Sequence, residues 1–311
     1  MRIIGRRGWE IPERLVTPEA MVMNRRGLLG GAAAMTLAGS AGMAAAGSAG
    51  AAEPDPKYPA GRPLTLEKDA TTYNNYYEFS ESKNLWRAAQ ALKMSPWSIS
   101  IEGMVQKPRT LGFDDLMKLV QTEERIYRHR CVEAWAMTVP WTGFPLAQLL
   151  KIAEPLASAK YIVFQTGQEK AVEPGLESPF YPWPYIEGLA MDEAANDLAF
   201  ISTGLYGKPV PPQNGGPLRL TVPWKYGFKS AKALQKISFT DKRPVNFWQA
   251  ISPSEYGFWA NVNPAVSHPR WSQARERLLG TGEMVPTQIY NGYGEWVAAL
   301  YTNRKNEKLF M

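Results

Sequence analysis

The 311 residues include one cysteine and two histidines, Cys131, His129 and His268, and this scarcity excludes whole classes of protein. A lone cysteine cannot build a disulfide framework, and three such residues fall short of the ligands of an ordinary structural zinc site. Any metal must therefore bring most of its ligands with it. Also missing are a Gly-x-Gly-x-x-Gly or Gly-x-x-x-x-Gly-Lys-Ser/Thr loop, which removes the fingerprints of dinucleotide and P-loop folds, and any repeat of fixed period. Charged residues make up only 21% against 45% hydrophobic, with 11 Trp, 14 Tyr and 25 Pro. That balance excludes a disordered acidic chain, a collagen and a coiled coil, and leaves a globular protein with a sizeable core.

The first 52 residues differ in composition from the rest. Arg25 and Arg26 precede an uncharged stretch, Gly27 to Ala52, dominated by Ala and Gly with Leu at positions 28, 29 and 37. It is long enough to span a bilayer but only mildly apolar. With small residues at Ala49, Ala51 and Ala52, the segment reads as a cleaved twin-arginine export signal over residues 1–52 and places the protein in the periplasm. Taking its six Arg and three Glu from the 35 basic and 29 acidic residues leaves 29 and 26, a net +3. No basic stripe with interleaved aromatics remains, so a nucleic-acid partner is not expected. Residues 53–70, EPDPKYPAGRPLTLEKDA, read as an extended Pro-rich arm, and residues 71–311 as the catalytic domain.

Within that domain WSISIEGMV (97–105) alternates Trp97, Ile99 and Ile101 with polar residues, the period of a half-buried strand. Phe113, Leu116, Leu119 and Val120, and then Leu146, Leu149, Leu150 and Ala153 after Pro145, fall at helical spacing. YIVFQ (161–165), LAFIS (198–202) and LRLTV (218–222) read as strands. The mixture has no βαβ rhythm and predicts an α+β chain with many loops.

Cys131 lies in RIYRHRCVEAW, just after a predicted strand and flanked by Arg128, His129 and Arg130. Positive neighbours favour thiolate, the soft metal ligand and nucleophile, while a buried Cys acting as a small hydrophobe is the competing reading. A cysteine-protease arrangement lacks a base, because His129 is too near along the strand and His268 is remote in sequence.

Four segments carry a resemblance: YNNYYEF (73–79), RIYRHRCVEAWAMTVPWTGFPL (125–146), PPQNGGPLRLTVPWKYGFKSAK (211–232) and EYGFWANVNPAVSHPRWSQARER (255–277). Together they resemble the catalytic subunits of periplasmic protein-methionine-sulfoxide reductases, the MsrP family of molybdenum–pterin enzymes of sulfite-oxidase type. The resemblance implies a sulfite-oxidase-type molybdopterin-binding fold of mixed β-sheets and short helices. It implies Cys131 as the protein ligand of molybdenum, the other sulfurs coming from one molybdopterin. Pterin contacts then fall on Asn74, Tyr77, Glu78, Thr166, Asn214, Arg219, Ser230, Ala231 and Lys232. Asn, Thr and Glu match a heterocycle edge of donors and acceptors, and Arg and Lys match its phosphate. Two features depart from the family pattern: His129 stands where a Met is expected, and the loop from Gly167 to Tyr181 is short. His129 is read either as a group titrating near neutral pH or as a strand residue facing solvent.

The implied reaction is reduction of methionine sulfoxide residues in oxidised periplasmic proteins by oxygen-atom transfer to Mo(IV), with electrons from a haem-containing transmembrane partner. Trp135, Tyr256 and Trp259 are candidates for the walls of the substrate cleft. Rival readings are sulfite oxidation, for which Arg128, Arg130 and Lys225 would supply cations, reduction of small S- or N-oxides on the same cofactor, and an exported binding protein without turnover.

Overall fold

Alternation is plain at Ser98–Gly103. Ile99 and Ile101 are each 1% exposed while their polar neighbours face outward, as the two-residue period of a strand dictates. A computed structural model describes residues 57–310, so the expected export signal lies outside the described residues. Its strands are β1 (Ser98–Gly103), β2 (Arg109–Gly112), β3 (Glu123–Arg130), β4 (Trp135–Pro145), β5 (Tyr161–Thr166) and β6 (Ile186–Ala190). They continue with β7 (Phe200–Leu205), β8 (Lys208–Pro209), β9 (Arg219–Thr221), β10 (Leu234–Thr240), β11 (Arg275–Leu278) and β12 (Met284–Pro286).

They form two sheets. One runs β2-β1-β10-β5-β6; the other runs β12-β11-β4-β7-β8, with β3 added on β4 and β9 on β7. The β1–β10 and β11–β4 pairs are parallel and the rest antiparallel. Mixed sheets with short helices between them make this an α+β fold, as the intermingled periods predict. Among the described residues no helix is long and apolar enough to cross a membrane.

Strand β4 is the spine of the second sheet. It pairs with β3 from Glu123↔Gly143 to Arg130↔Ala136, and shifts register between Thr142 and Gly143 as it passes to β7. Gly143 is required there: a Cβ would stand 2.0 Å from the Ile201 carbonyl oxygen. Ala136, Val139, Trp141 and Phe144 of β4 are fully buried.

The helix Leu146–Ala153 buries Leu146, Leu149 and Ala153 and ends at Glu154 in a left-handed conformation. The other expected helix, Phe113–Leu119, buries Leu116 alone. Leu119 is 55% exposed and Val120 is already extended, so the helical spacing overstates that element by one residue. Of the expected arm, 53–70, the first four residues lie outside the described residues. Residues 57–66 carry no helix or strand, but Glu67–Thr72 is helical, with Glu67 and Asp69 in its first turn, where the helix dipole favours acids.

Three buried ion pairs brace the sheets. Arg130 meets Glu276 of β11 at 2.9 Å, Lys225 meets Glu193 at 2.5 Å and Lys229 meets Glu187 at 2.7 Å, and none of these side chains is exposed. Arg62 reaches the other Glu276 oxygen at 2.5 Å. Such pairs add little net stability over apolar packing, but removing one partner strands the other charge in the core. Glu276→Ala should therefore cost about 3–5 kcal/mol and lower the melting temperature of the full chain by roughly 6–20 °C. A thermal melt within about 2 °C of wild type would contradict this role.

Candidate active site around Cys131

Strand β3 ends at Arg130 and β4 begins at Trp135, so Cys131 opens the turn that joins them. The Cys131 amide donates to the Trp135 carbonyl at 2.9 Å, and the Ala134 amide to the Cys131 carbonyl at 3.1 Å. Ala134 takes a left-handed φ of 63° to close the turn. Two-residue alternation then sorts the neighbours: His129 and Cys131 share the face that lines a cavity of about 430 Å³, while Arg128 and Arg130 point the other way. Arg128 is spent on the Ala60 carbonyl and on Gln288. Arg130 pairs with Glu276, donates to Gln273 Oε1 at 2.7 Å and also reaches the Cys131 carbonyl.

The expectation that these arginines hold Cys131 as thiolate is therefore corrected. The thiol is 5% exposed, and burial, followed by the nearby Glu133 carboxylate, pushes it up to about 12. Glu133 is the acidic neighbour that matters: its Oε2 lies 3.8 Å from Sγ, and its amide donates to Sγ at 3.5 Å. Burial would raise the Glu133 carboxyl, but Lys83 at 2.8 Å, Asn75 at 3.1 Å and the Trp135 indole at 3.3 Å outweigh it and hold it low. Asn75 Nδ2 also reaches Sγ at 3.6 Å.

The cavity is lined by all ten residues that the sequence singled out: Asn74, Tyr77, Glu78, Cys131, Thr166, Asn214, Arg219, Ser230, Ala231 and Lys232. They arrive from well-separated segments, so their convergence is a product of the fold. Asn214 Nδ2 donates to the Ala70 carbonyl at 3.0 Å, and Arg219 donates to the Asn214 carbonyl at 2.7 Å. Lys232 donates to the Asn75 and Gln213 carbonyls at 2.7 and 2.6 Å. Gly215 makes this possible, with φ at 101° and a would-be Cβ only 2.7 Å from the Lys232 side chain.

What these residues leave unsatisfied is as informative as what they bind. Among the buried polar atoms without a hydrogen-bond partner are Asn74 Oδ1, Asn75 Oδ1, Tyr76 OH, Thr166 Oγ1, Asn214 Oδ1 and Arg219 Nε, all on residues lining this one cavity. Buried polar groups are normally paired, so such a concentration marks where a polar ligand belongs. Arg219 and Lys232 carry no carboxylate partner; burial lowers Arg219 to about 10 and drives Lys232 well below its ordinary value. Glu78 is pushed up to about 8, again mainly by burial. A buried guanidinium and a half-buried amine, beside an acid that burial disfavours as an anion, suit an anionic, hydrogen-bonding ligand. A molybdopterin, with its phosphate and polar heterocycle, fits this donor set.

Other expectations are revised. His129 is 9% exposed rather than solvent-facing, and burial, then Arg219 and Lys232, hold it well below the neutral range. Trp135 and Tyr256 line the cavity, but Trp259 does not; it is 3% exposed and packs edge-on against Phe258 and Tyr301. Trp248 and Trp271 stand in the lining instead. His268 is absent from the lining and stacked on Trp271, which removes the base a cysteine-protease reading would need. Arg128, Arg130 and Lys225, considered for a sulfite pocket, are all committed elsewhere. Asn75, Glu133 and Trp271 all lie inside the segments that carry the resemblance, although none is a chosen position; for Trp248 nothing local gives a signal.

Residues 87–248, more than half of the chain, match the oxidoreductase molybdopterin binding domain family. A protein-methionine-sulfoxide reductase catalytic subunit, MsrP, from Burkholderia mallei is 48% identical over 97% of this chain and 96% of that protein. Its counterpart in Ralstonia nicotianae is 47% identical over 98% and 97%, and that in Xanthomonas campestris pv. campestris 50% over 79% of each. Among solved structures, the sulfane dehydrogenase SoxCD from Paracoccus pantotrophus covers 49% of this chain and 40% of its own, at 18% identity and a TM-score of 0.42, too distant to argue from. With about half its residues shared along almost its whole length, and with a molybdopterin-binding domain family at its centre, the chain belongs to the MsrP family of protein-methionine-sulfoxide reductase catalytic subunits.

Proposed function

We infer that this chain is a molybdopterin-dependent oxidoreductase that reduces methionine sulfoxide residues of oxidised proteins to methionine, using molybdenum held by one molybdopterin and by Cys131. The carrying observation is the single buried cysteine facing a cavity whose unpaired polar atoms and two uncompensated cations match an anionic pterin. The relatives' names, which describe catalytic subunits acting on protein methionine sulfoxide, support the substrate. Among the described residues no three His, Cys, Asp or Glu side chains gather around a common point, so a metal on Cys131 draws its other ligands from outside the chain. Binding such a metal would deprotonate the thiol, and the resulting soft thiolate suits a sulfur-rich centre.

Reduction of a sulfoxide to a thioether takes two electrons and two protons and releases water. The bound cofactor supplies the two-electron oxygen-atom-transfer chemistry. The chain supplies position. Arg219 and Lys232 would hold the phosphate, while Asn74, Tyr77, Glu78, Thr166, Asn214, Ser230 and the Ala231 backbone would meet the polar edge of the pterin. The turn at Cys131 fixes the sulfur, because Arg130 and the Trp135 carbonyl hold its backbone. The electrons come from a haem-containing transmembrane partner, and the twin-arginine segment delivers the folded chain to the periplasm, where oxidised proteins are its substrates.

Cys131→Ala should abolish reduction of a methionine-sulfoxide protein by a viologen donor while the melting temperature of the empty chain stays within a few degrees of wild type. Full activity in that variant would sink the assignment. Arg219→Met separates ligand binding from folding, because the two effects have opposite sign. Without its anionic partner the buried guanidinium costs stability, so the empty variant should melt at or above the wild-type temperature, while its molybdopterin content on expression falls at least about tenfold. Wild-type cofactor content, measured by molybdenum analysis and pterin fluorescence, would remove Arg219 from the site.

A further inference from the structure

The cavity lining has two chemically different parts. The amides, hydroxyl and cations described above form one; the other is aromatic and reaches the surface at Tyr77, Trp248 and Trp271. These rings support one another. Tyr77 meets Trp248 edge-on at 4.9 Å, Trp248 tilts against Tyr256 at 5.4 Å, and Tyr256 meets His268 at 5.6 Å. His268 in turn stacks flat on Trp271 at 3.8 Å, with 10° between the planes. Arg270 lies 4.8 Å above the Trp271 ring and is tied to Glu255 at 2.8 Å.

The row is also fixed to the reactive turn. Trp271 Nε1 donates to the Val132 carbonyl at 2.8 Å, and Val132 follows Cys131 in the chain. An aromatic wall is thus held at a set reach from the sulfur that would bind the metal. Rings serving the core alone are covered, as Trp141 and Trp224 are at 0% exposure; Trp248 and Trp271 keep part of their surface in the opening.

We propose that Trp248, Tyr256 and Trp271 form the slot that receives the methionine sulfoxide side chain and set the preference for that side chain over smaller S-oxides. This rests on the functional reading above and extends it to the residues that recognise the substrate. The side chain offers two methylenes, a methyl and a polarizable sulfur, the groups that ring faces and edges attract. Its oxygen is left to face the Cys131 end of the cavity. Dimethyl sulfoxide has the same sulfur and oxygen without the methylenes or the peptide, so it gains less from the rings.

The test uses holoenzymes of Trp248→Ala, Tyr256→Ala and Trp271→Ala with a viologen donor. Each is assayed on an oxidised protein and on dimethyl sulfoxide. The KM for the oxidised protein should rise about tenfold, and the ratio of its kcat/KM to that for dimethyl sulfoxide should fall by a similar factor. Binding of the oxidised holoenzyme to a fluorescent peptide with one methionine sulfoxide, followed by anisotropy, should weaken in parallel. Trp271→Phe, which keeps a ring but loses the indole donor, should recover most of the ratio. Wild-type ratios in cofactor-loaded variants would overturn the proposal and leave the functional reading intact. Loss of pterin in step with activity would overturn it too, since the rings would then be holding the cofactor. Should Trp271→Ala not fold, the Trp248 and Tyr256 variants decide the matter. Failure of the wild-type enzyme to reduce the oxidised protein would overturn the functional reading itself.

Discussion

Arg130 must be both charged and buried, because its guanidinium reaches the Glu276 carboxylate, the Gln273 side chain and the Cys131 carbonyl at once. Gln273 passes the constraint on by donating to the Val132 carbonyl at 2.8 Å, and Trp271 donates to the same oxygen. The turn 131–134 and the segment 271–276 therefore move together. Without the Glu276 charge, the desolvation of Arg130 would stand against this arrangement; with it, the four-residue turn is tied to a charge-assisted network. The thiol projects from the opposite face of the strand, so the clamp orients the sulfur without touching it.

The same alternation explains where sequence reading succeeds and where it fails. Strands such as Ser98–Gly103 and Tyr161–Thr166 carry their own period and were legible. The helix at 113–119 was legible except at its end, where apolar spacing continues after the backbone has turned extended. The ten positions expected at the cofactor rest on family motifs, and the fold brings them to one cavity. Charge near Cys131 is close along the chain but not in space, because the period of two sends Arg128 and Arg130 to the other side of the sheet from the cavity. Choosing Trp259 over Trp248 and Trp271 failed for a different reason. With 11 tryptophans, burial is decided by contacts between distant segments, and no local pattern separates a covered ring from one that lines an opening.

The electrostatics of the cavity run against those of the rest of the core. Elsewhere each fully buried lysine has its acid, Lys225 with Glu193 and Lys229 with Glu187. In the cavity Arg219 and Lys232 have backbone carbonyls but no carboxylate, and Glu78 is shifted toward its neutral form. A site prepared in this way holds an energetic debt that a ligand of the right charge removes on binding. The selectivity lies in the mismatch: a neutral heterocycle would leave the cations unmet, and a bare anion would leave the amides unmet.

The separation of the lining segments along the chain has a further consequence. Residues 74–78, 131, 166, 214–219 and 230–232 belong to both sheets and to the turns between them. A ligand touching all of them acts as a non-covalent crosslink whose ends lie more than 150 residues apart in sequence, and its binding free energy adds directly to the stability of the folded state. Filling the cavity thereby suppresses local opening of the turns that form it, so the loaded chain resists proteases at sites where the empty chain is cut.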